Sequence, residues 1–229
     1  MPLVHDWWMK GRHLLIFAAF AMMISATPGL ALNQSTSQGK HPVVIVHGFK
    51  DTSRKMQQMA ACLRREGWTV YTPTLTPSFG QVGLDDLAGQ LSVFINATFK
   101  PGEKFDLIGF SMGGLVCRYY LQRMDGLSRV GRFITLGAPH HGSLWACFVA
   151  NPGCRQMRPG SDFLNDLNGD IGTLGTIDFT SIWTPLDLII LPSYSSHTTV
   201  GREIKLWIPL HPLLVWSPLC IRNVVSLLR

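Results

Sequence analysis

The chain has 229 residues, of which 46% are hydrophobic and 15% are charged, and its formal net charge is +6. This size and composition are typical of one globular domain with a substantial core, and they argue against a disordered or repetitive chain. The basic residues are dispersed and form no run, so we expect no nucleic-acid partner.

Residues 1–31 have the pattern of a targeting segment. Lys10 and Arg12 precede an apolar run over residues 14–24, and small residues follow up to Ala31. A basic start, an apolar stretch too short for a membrane span and a small-residue end fit a signal peptide cleaved after Ala31. We therefore expect a secreted or periplasmic protein, with an uncleaved N-terminal anchor as the alternative.

A polar lead-in at residues 32–41 is followed by alternating strand and helix patterns. Short apolar runs predict strands at 42–46, 69–72, 105–110, 132–136, 177–183 and 203–208. Apolar stripes with helical spacing predict helices at 56–63, 84–95, 112–124, around 163–167, and from Ser217-Pro218 onward. Because continuous apolar strands are typical of parallel sheets, residues 42–229 are expected to form one α/β domain. Its central sheet should be mostly parallel, with helices on both faces.

The motif that points to chemistry is Gly109-Phe110-Ser111-Met112-Gly113, which matches G-x-S-x-G. It lies between a predicted strand and a predicted helix, the context of a nucleophile elbow. Glycines at its two ends let the strand and the helix approach closely, which exposes the serine on a sharp turn. We therefore expect Ser111 to be the nucleophile.

A serine nucleophile needs a histidine base and a carboxylate that orients it, and here they should follow the serine in the order acid, histidine. Asp187 follows a predicted strand, whereas its rival Asp178 opens that strand. His211 follows the last predicted strand, whereas His197 precedes it. Since the carboxyl ends of parallel strands share one edge of a sheet, we expect Asp187 as the acid and His211 as the base.

Two backbone N–H groups should bind the oxyanion. One is that of Met112, at the positive end of the helix after the nucleophile. The other is expected from Phe49, in the loop after the first strand, where Gly48 lets the backbone curl towards the substrate. We interpret His47 as a residue that holds this loop.

Three motifs together resemble the bacterial lipase/esterase branch of the α/β hydrolases. They are His47-Gly48, the extended elbow of residues 109–116 with Arg118-Tyr119 behind it, and residues 135–143 with the sequence Thr-Leu-Gly-Ala-Pro-His-His-Gly-Ser. This branch includes the minimal secreted triacylglycerol lipases and, more distantly, proteins similar to GPI inositol-deacylases. The resemblance covers about residues 42–228. It implies an α/β-hydrolase fold and a loop-shaping role for His140 and His141.

Pro212 departs from the resemblance, because proline restricts the preceding His211 to extended conformations. The expected activity is hydrolysis of lipid-type carboxylic esters by Ser111, Asp187 and His211 through an acyl-enzyme. Acyl transfer, thioester or amide cleavage by the same residues, and a non-catalytic binding protein on this scaffold, remain alternatives. We expect a monomer that acts on a lipid or small ester, needs no cofactor or metal, and contacts lipid surfaces only transiently.

The segment 144–175 is the hardest to interpret. It is either a wall of an acyl pocket or an ordinary cap on the sheet edge. Its short helical stripe predicts a largely open cleft rimmed by Trp145 and Phe148 rather than a long lid. Cys147 and Cys154 lie in a loop with glycine and proline, which suggests a disulfide in an oxidising compartment.

Overall fold

The computed structural model describes residues 39–229, so the predicted signal peptide and most of the polar lead-in lie outside the described residues. The strands are β1 (Val43–Val46), β2 (Val70–Tyr71), β3 (Phe105–Phe110), β4 (Val130–Leu136), β5 (Asp178–Trp183) and β6 (Arg202–Lys205). The helices are α1 (Gln57–Arg65), α2 (Leu84–Thr98), α3 (Met112–Arg123), α4 (Pro152–Gln156), α5 (Asp162–Gly169) and α6 (Pro218–Leu228). None of these helices is long and apolar enough to cross a membrane.

The six strands form one sheet in the order β2-β1-β3-β4-β5-β6, and every pairing is parallel. Strands β1 and β3 are buried along their whole length, which explains their uninterrupted apolar sequence. Helices α2 and α3 pack on one face of the sheet, and α1 and α6 on the other. The predicted α/β domain with helices on both faces is confirmed.

The predicted strand at 203–208 is too long, because β6 ends at Lys205. The chain turns there: the Ile208 N–H donates to the Leu206 carbonyl at 3.0 Å, and Pro209 has no N–H for a ladder. Leu206 and Ile208 are buried in the core that contains helix α6, whereas Trp207 between them is exposed.

The predicted disulfide between Cys147 and Cys154 is wrong, because both thiols are free. Cys147 is exposed in a 3-10 helix at Leu144–Phe148, whereas Cys154 is buried on α4. Helix α4 turns Cys154 inward, where a Cβ placed on Gly80 would lie 3.1 Å from its Sγ atom. The prediction rested on the short distance between the two cysteines in the sequence and did not take into account that α4 begins between them.

Three glycines allow β3, α3 and the neighbouring loops to cross at very short distances. A Cβ on Gly109 would lie 2.6 Å from the Gly114 Cα atom. A Cβ on Gly113 would lie 2.4 Å from the His47 carbonyl oxygen, and one on Gly114 would lie 2.4 Å from the Ala138 Cβ atom. No real Cβ occupies such distances, so this crossing exists only because these residues lack side chains.

Replacing Gly114 with alanine should therefore lower the free energy of unfolding by about 1–3 kcal/mol, the usual cost of overpacking a core. Gly89→Ala is the matched control on helix α2, where an added Cβ has nothing within 4 Å. The control should be as stable as the parent protein or more stable by about 0.5–1 kcal/mol. Urea unfolding measures both, and a Gly114→Ala protein as stable as the parent would contradict the close crossing.

Candidate active site

Ser111 lies on the sharp turn between β3 and α3. Its backbone has φ +55° and ψ −127°, a region that residues other than glycine rarely adopt. The turn is held because the Ser111 N–H donates to the Leu136 carbonyl at 2.9 Å and the Gly114 N–H donates to the Ser111 carbonyl at 2.9 Å. The strained backbone directs the serine out of the strand, as a nucleophile elbow requires.

Asp187 and His211 are brought together although they are 24 residues apart. The His211 Nδ1 atom lies 2.6 Å from the Asp187 Oδ2 atom, and both side chains are buried. The other carboxylate oxygen, Oδ1, accepts the N–H groups of Ile189 at 2.9 Å and Ile190 at 2.8 Å. With both oxygens occupied, the carboxylate orients the ring so that Nδ1 donates and Nε2 is free to accept a proton.

The imidazole of His211 lies beside the residue that precedes the serine. Its ring stacks on that of Phe110, with ring centroids 4.8 Å apart. A Cβ on Gly137 would lie 3.0 Å from the His211 Cε1 atom, so the loop after β4 leaves just enough room for the ring. The Nε2 atom is buried and has no hydrogen-bond partner within residues 39–229.

Pro212 does not keep His211 from this position. His211 begins a 3-10 helix at His211–Val215, and the unusual backbone angle falls on Leu210, at φ +73°.

The rivals of Asp187 and His211 are engaged elsewhere. Asp178 is exposed and accepts two hydrogen bonds from Arg202, at 2.7 and 2.8 Å. The His197 Nδ1 atom is bound to the Glu203 carboxylate, and its side chain is half exposed.

The two N–H groups expected to bind the oxyanion, those of Phe49 and Met112, belong to segments next to Ser111. Within the described residues, neither the Phe49 nor the Met112 N–H donates a hydrogen bond. Met112 opens α3, so its N–H lies at the positive end of the helix. The loop that carries Phe49 touches the serine, because a Cβ on Gly48 would lie 2.9 Å from the Ser111 Cβ atom.

His47 holds this loop in place with both of its ring nitrogens. Its Nε2 atom accepts the Leu75 N–H at 2.9 Å, so the other nitrogen, Nδ1, donates to the Gly48 carbonyl at 3.0 Å. Burial lowers the pKa of His47, which keeps its ring neutral and both hydrogen bonds intact.

A buried arginine, whose role the sequence analysis missed, supports the opposite side of the site. Arg118 on α3 is fully buried and donates to the Leu167 carbonyl at 2.7 Å and to Asn168 Oδ1 at 2.9 Å. Burial lowers the pKa of Arg118 to about 10. The fully buried His140 lies 3.5 Å from its guanidinium and 3.1 Å from Thr135 Oγ1. Burial, and then the Arg118 charge, keep the pKa of His140 well below its usual value.

This network shapes the loop that carries Pro139, which lies next to His140 and faces Ser111 across a cavity. The sequence feature that could have indicated this network is Arg118 itself. It follows Leu115 by three residues, so it occupies the apolar stripe of the predicted helix, where a charged residue needs buried partners.

A cavity of about 230 Å³ opens beside Ser111. Almost all of its lining side chains are apolar. They belong to Phe49, Ser111, Pro139, Ser143, Trp145, Ala146, Val149, Cys154, Met157, Ile189 and Ile190. Of the two predicted rim residues, Trp145 lines the cavity and is half exposed, whereas Phe148 is exposed beside Trp145 and does not line it. Residues of the segment 144–157 form one wall. A larger depression of about 810 Å³ between α1 and α6 is lined by none of the candidate site residues.

Residues 42–166 match the family model described as palmitoyl protein thioesterase. The chain belongs to the palmitoyl protein thioesterase family. A triacylglycerol lipase of Burkholderia plantarii is 27% identical over 139 residues, which is 57% of this chain and 38% of that protein. Lysosomal thioesterase PPT2 of Mus musculus is 29% identical over 134 residues, 56% of this chain and 42% of that protein. The chain thus spans about two fifths of the length of these curated relatives.

Solved structures show the same fold. The mature form of Bacillus licheniformis lipase BlEst2 superposes with a TM-score of 0.68 at 18% identity, covering 83% of this chain and 93% of that one. Aspergillus fumigatus lipase B gives 0.71 at 17% identity, covering 82% and 52%. The α/β-hydrolase fold and the resemblance to its lipase/esterase branch are therefore confirmed.

The two buried neutral histidines predict how stability depends on pH. An unfolded histidine has a pKa of about 6.5, and the folded pKa values of His47 and His140 are lower. Well above about pH 6.5 neither the folded nor the unfolded state binds these protons, and the two histidines take nothing from the free energy of unfolding. Below that pH the unfolded chain takes up protons that the fold excludes. The free energy of unfolding should then fall by up to about 1.4 kcal/mol per pH unit for each histidine, until the folded pKa is reached.

Urea unfolding between about pH 7.5 and pH 5.5 measures this slope. A free energy of unfolding that does not change over this interval would contradict the buried neutral state of both rings.

Proposed function

We propose that this protein hydrolyses lipid-type carboxylic esters, with Ser111 as nucleophile, His211 as general base and Asp187 as the group that orients the base and stabilises its protonated form. The observation that carries the proposal is the His211 Nε2 atom, buried without a hydrogen-bond partner in the described chain, while Asp187 holds Nδ1. A buried ring nitrogen left unpaired is costly in a structural histidine, and it is the atom that must accept the serine proton in this chemistry.

The proposed reaction has two halves. The Ser111 Oγ atom attacks the ester carbonyl carbon while its proton passes to His211 Nε2, and Asp187 stabilises the resulting imidazolium. The carbonyl oxygen becomes an anion and accepts hydrogen bonds from the N–H groups of Phe49 and Met112. The bond between the acyl carbon and the alcohol oxygen then breaks, and the leaving oxygen takes the proton from His211.

The acyl-enzyme is then hydrolysed by the same groups. Water gives a proton to His211 Nε2 and attacks the acyl carbon, and the carboxylic acid leaves as Ser111 regains its proton. No step requires a metal or cofactor. The lining of the cavity beside Ser111 supports an apolar acyl group as the part of the substrate held there.

Thioester cleavage is the second candidate, and the match to the palmitoyl protein thioesterase family favours it. The attack and the oxyanion contacts are the same for both substrates. They differ at the leaving group, because a thiol with a pKa of about 8.5 departs as the anion with little help from a proton donor. Comparing an oxoester with a thioester of the same acyl chain separates the two functions.

The first test is chemical labelling of the serine. A fluorophosphonate should modify Ser111, and Ser111→Ala should lose labelling and at least about 10⁴-fold of ester turnover, because the residues of such a site act as a unit. Ser226→Ala, an exposed serine on α6, is the matched control and should behave like the parent protein. Full turnover by Ser111→Ala on both oxoesters and thioesters would rule out the proposed function.

The second test concerns the acid and the base. Asp187→Asn should cost about 10⁴-fold in turnover, because it reverses the hydrogen bond that holds Nδ1 as the donor. His211→Ala should be as damaging on oxoesters, whereas His197→Ala should have little effect, since His197 is bound to Glu203 at the surface. Steady-state kinetics and a circular dichroism spectrum of each variant make the comparison. Damage by His197→Ala equal to that by His211→Ala would contradict the assignment.

A further inference from the structure

Ser143 and Trp145 line the cavity beside Ser111 and form its outer wall. Hydrogen bonds hold this wall to the loop that follows Asp187. The Ser143 hydroxyl donates to the Ile189 carbonyl at 2.7 Å and accepts the Leu191 N–H at 3.1 Å. The Trp145 indole N–H donates to the Leu188 carbonyl at 2.8 Å. This wall is therefore part of a bonded structure and does not have the loose attachment of a lid.

The inner wall of the cavity, formed by α4 and Met157, is held by hydrogen bonds as well. The Gly153 N–H donates to the Gly80 carbonyl at 3.0 Å, which fixes α4 against the loop before α2. The Arg158 guanidinium donates to the Ala146 carbonyl at 3.2 Å and so joins the end of α4 to the 3-10 helix at Leu144–Phe148. Lengthening the cavity would require breaking several of these bonds, so its depth is set by the fold.

Burial separates the inner end of the cavity from its mouth. The lining residues Ala146, Cys154 and Met157 are each less than a tenth exposed, whereas Trp145 and Ile189 are about half exposed. Ser111, Pro139, Ser143 and Ile190 line the cavity and are buried as well. Of the buried lining residues, however, Ala146, Cys154 and Met157 are the ones that also belong to the hydrophobic core around α2 and α3, so they form the inner end. Their side chains are apolar or nearly so, and burial raises the pKa of the Cys154 thiol, which keeps it uncharged. Such a surface accepts hydrocarbon and repels a charged group.

The volume converts to a length of acyl chain. A dry apolar cavity of about 150 Å³ is known to bind benzene, which corresponds to about 25 Å³ per carbon atom. A cavity of about 230 Å³ then holds roughly nine carbons. This is well short of the long acyl chains of membrane lipids.

We propose that this cavity is an acyl pocket of fixed depth, closed by Ala146, Cys154 and Met157, that selects acyl chains of roughly six to ten carbons. The inference rests on the proposed function, because it places the acyl group of the substrate in the cavity. Each methylene that enters should raise kcat/KM about fourfold, the equivalent of about 0.8 kcal/mol. Carbons beyond the pocket stay at the exposed rim and gain much less.

The experiment measures kcat/KM for monomeric nitrophenyl esters whose acyl chains run from about four to about sixteen carbons in steps of two. The parent protein should show a rise to a maximum between eight and ten carbons and no further rise beyond it. A rate that climbs steadily to the longest chain would overturn the inference while leaving the proposed hydrolysis intact. Absence of turnover on every ester and on the matching thioesters would instead overturn the proposed function.

Two variants move the inner end in opposite directions. Ala146→Leu fills the pocket and should shift the maximum to chains shorter by about two to three carbons, with a loss of tenfold or more on longer chains. Met157→Ala should shift the maximum to longer chains by a similar amount. Met124→Ala is the matched control, a partly buried methionine at the end of α3 outside the cavity, and should leave the maximum where it is.

A second measurement that needs no turnover keeps the test valid even if a variant has lost part of its catalytic activity. Rates of inactivation by alkyl phosphonates with the same range of chain lengths should show the same maximum and the same shifts. A maximum that stays fixed in both Ala146→Leu and Met157→Ala, in either measurement, would show that these residues do not close the pocket.

Discussion

The close crossing at the end of β3 is the constraint on which the rest of the site depends. Gly113 and Gly114 let α3 pass against the His47 carbonyl and the Ala138 Cβ atom at distances that no side chain would allow. Because the helix starts there, Ser111 takes a backbone conformation that is strained for a serine, and the Met112 N–H is left without an acceptor in the described structure. In the proposed function, the position of the nucleophile and one oxyanion donor are thus two results of one packing contact.

The remaining parts of the site come from neighbouring strands at the same edge of the sheet. Asp187 is fixed by two N–H groups of its own loop, and it in turn fixes His211 through Nδ1. That loop also carries the carbonyl groups that hold the outer wall of the cavity, through Ser143 and Trp145. The same short segment therefore orients His211 and holds one wall of the cavity, so in the proposed function the position of the proton acceptor is coupled to the shape of the substrate site.

Much of this fold could be predicted from the sequence, because its strongest signals are local. Strand β3 has the predicted limits, since an apolar run leads directly into the glycine-rich turn. The end of β6 was wrong because apolar residues continue past the point where the chain turns before Pro209. Contacts between distant segments left no such local trace. The Arg118–His140 contact and the bonds that close the cavity depend on which loops the folded sheet brings together.

A crystal structure of the protein after inactivation by an alkyl phosphonate would test the proposed roles of the site residues together. We expect phosphorus bonded to Ser111 Oγ and a phosphoryl oxygen within hydrogen-bond distance of the Phe49 and Met112 N–H groups. His211 Nε2 should be turned towards the adduct, and the alkyl chain should lie in the cavity against Met157. An adduct on another residue, or a phosphoryl oxygen that contacts neither N–H group, would contradict these roles.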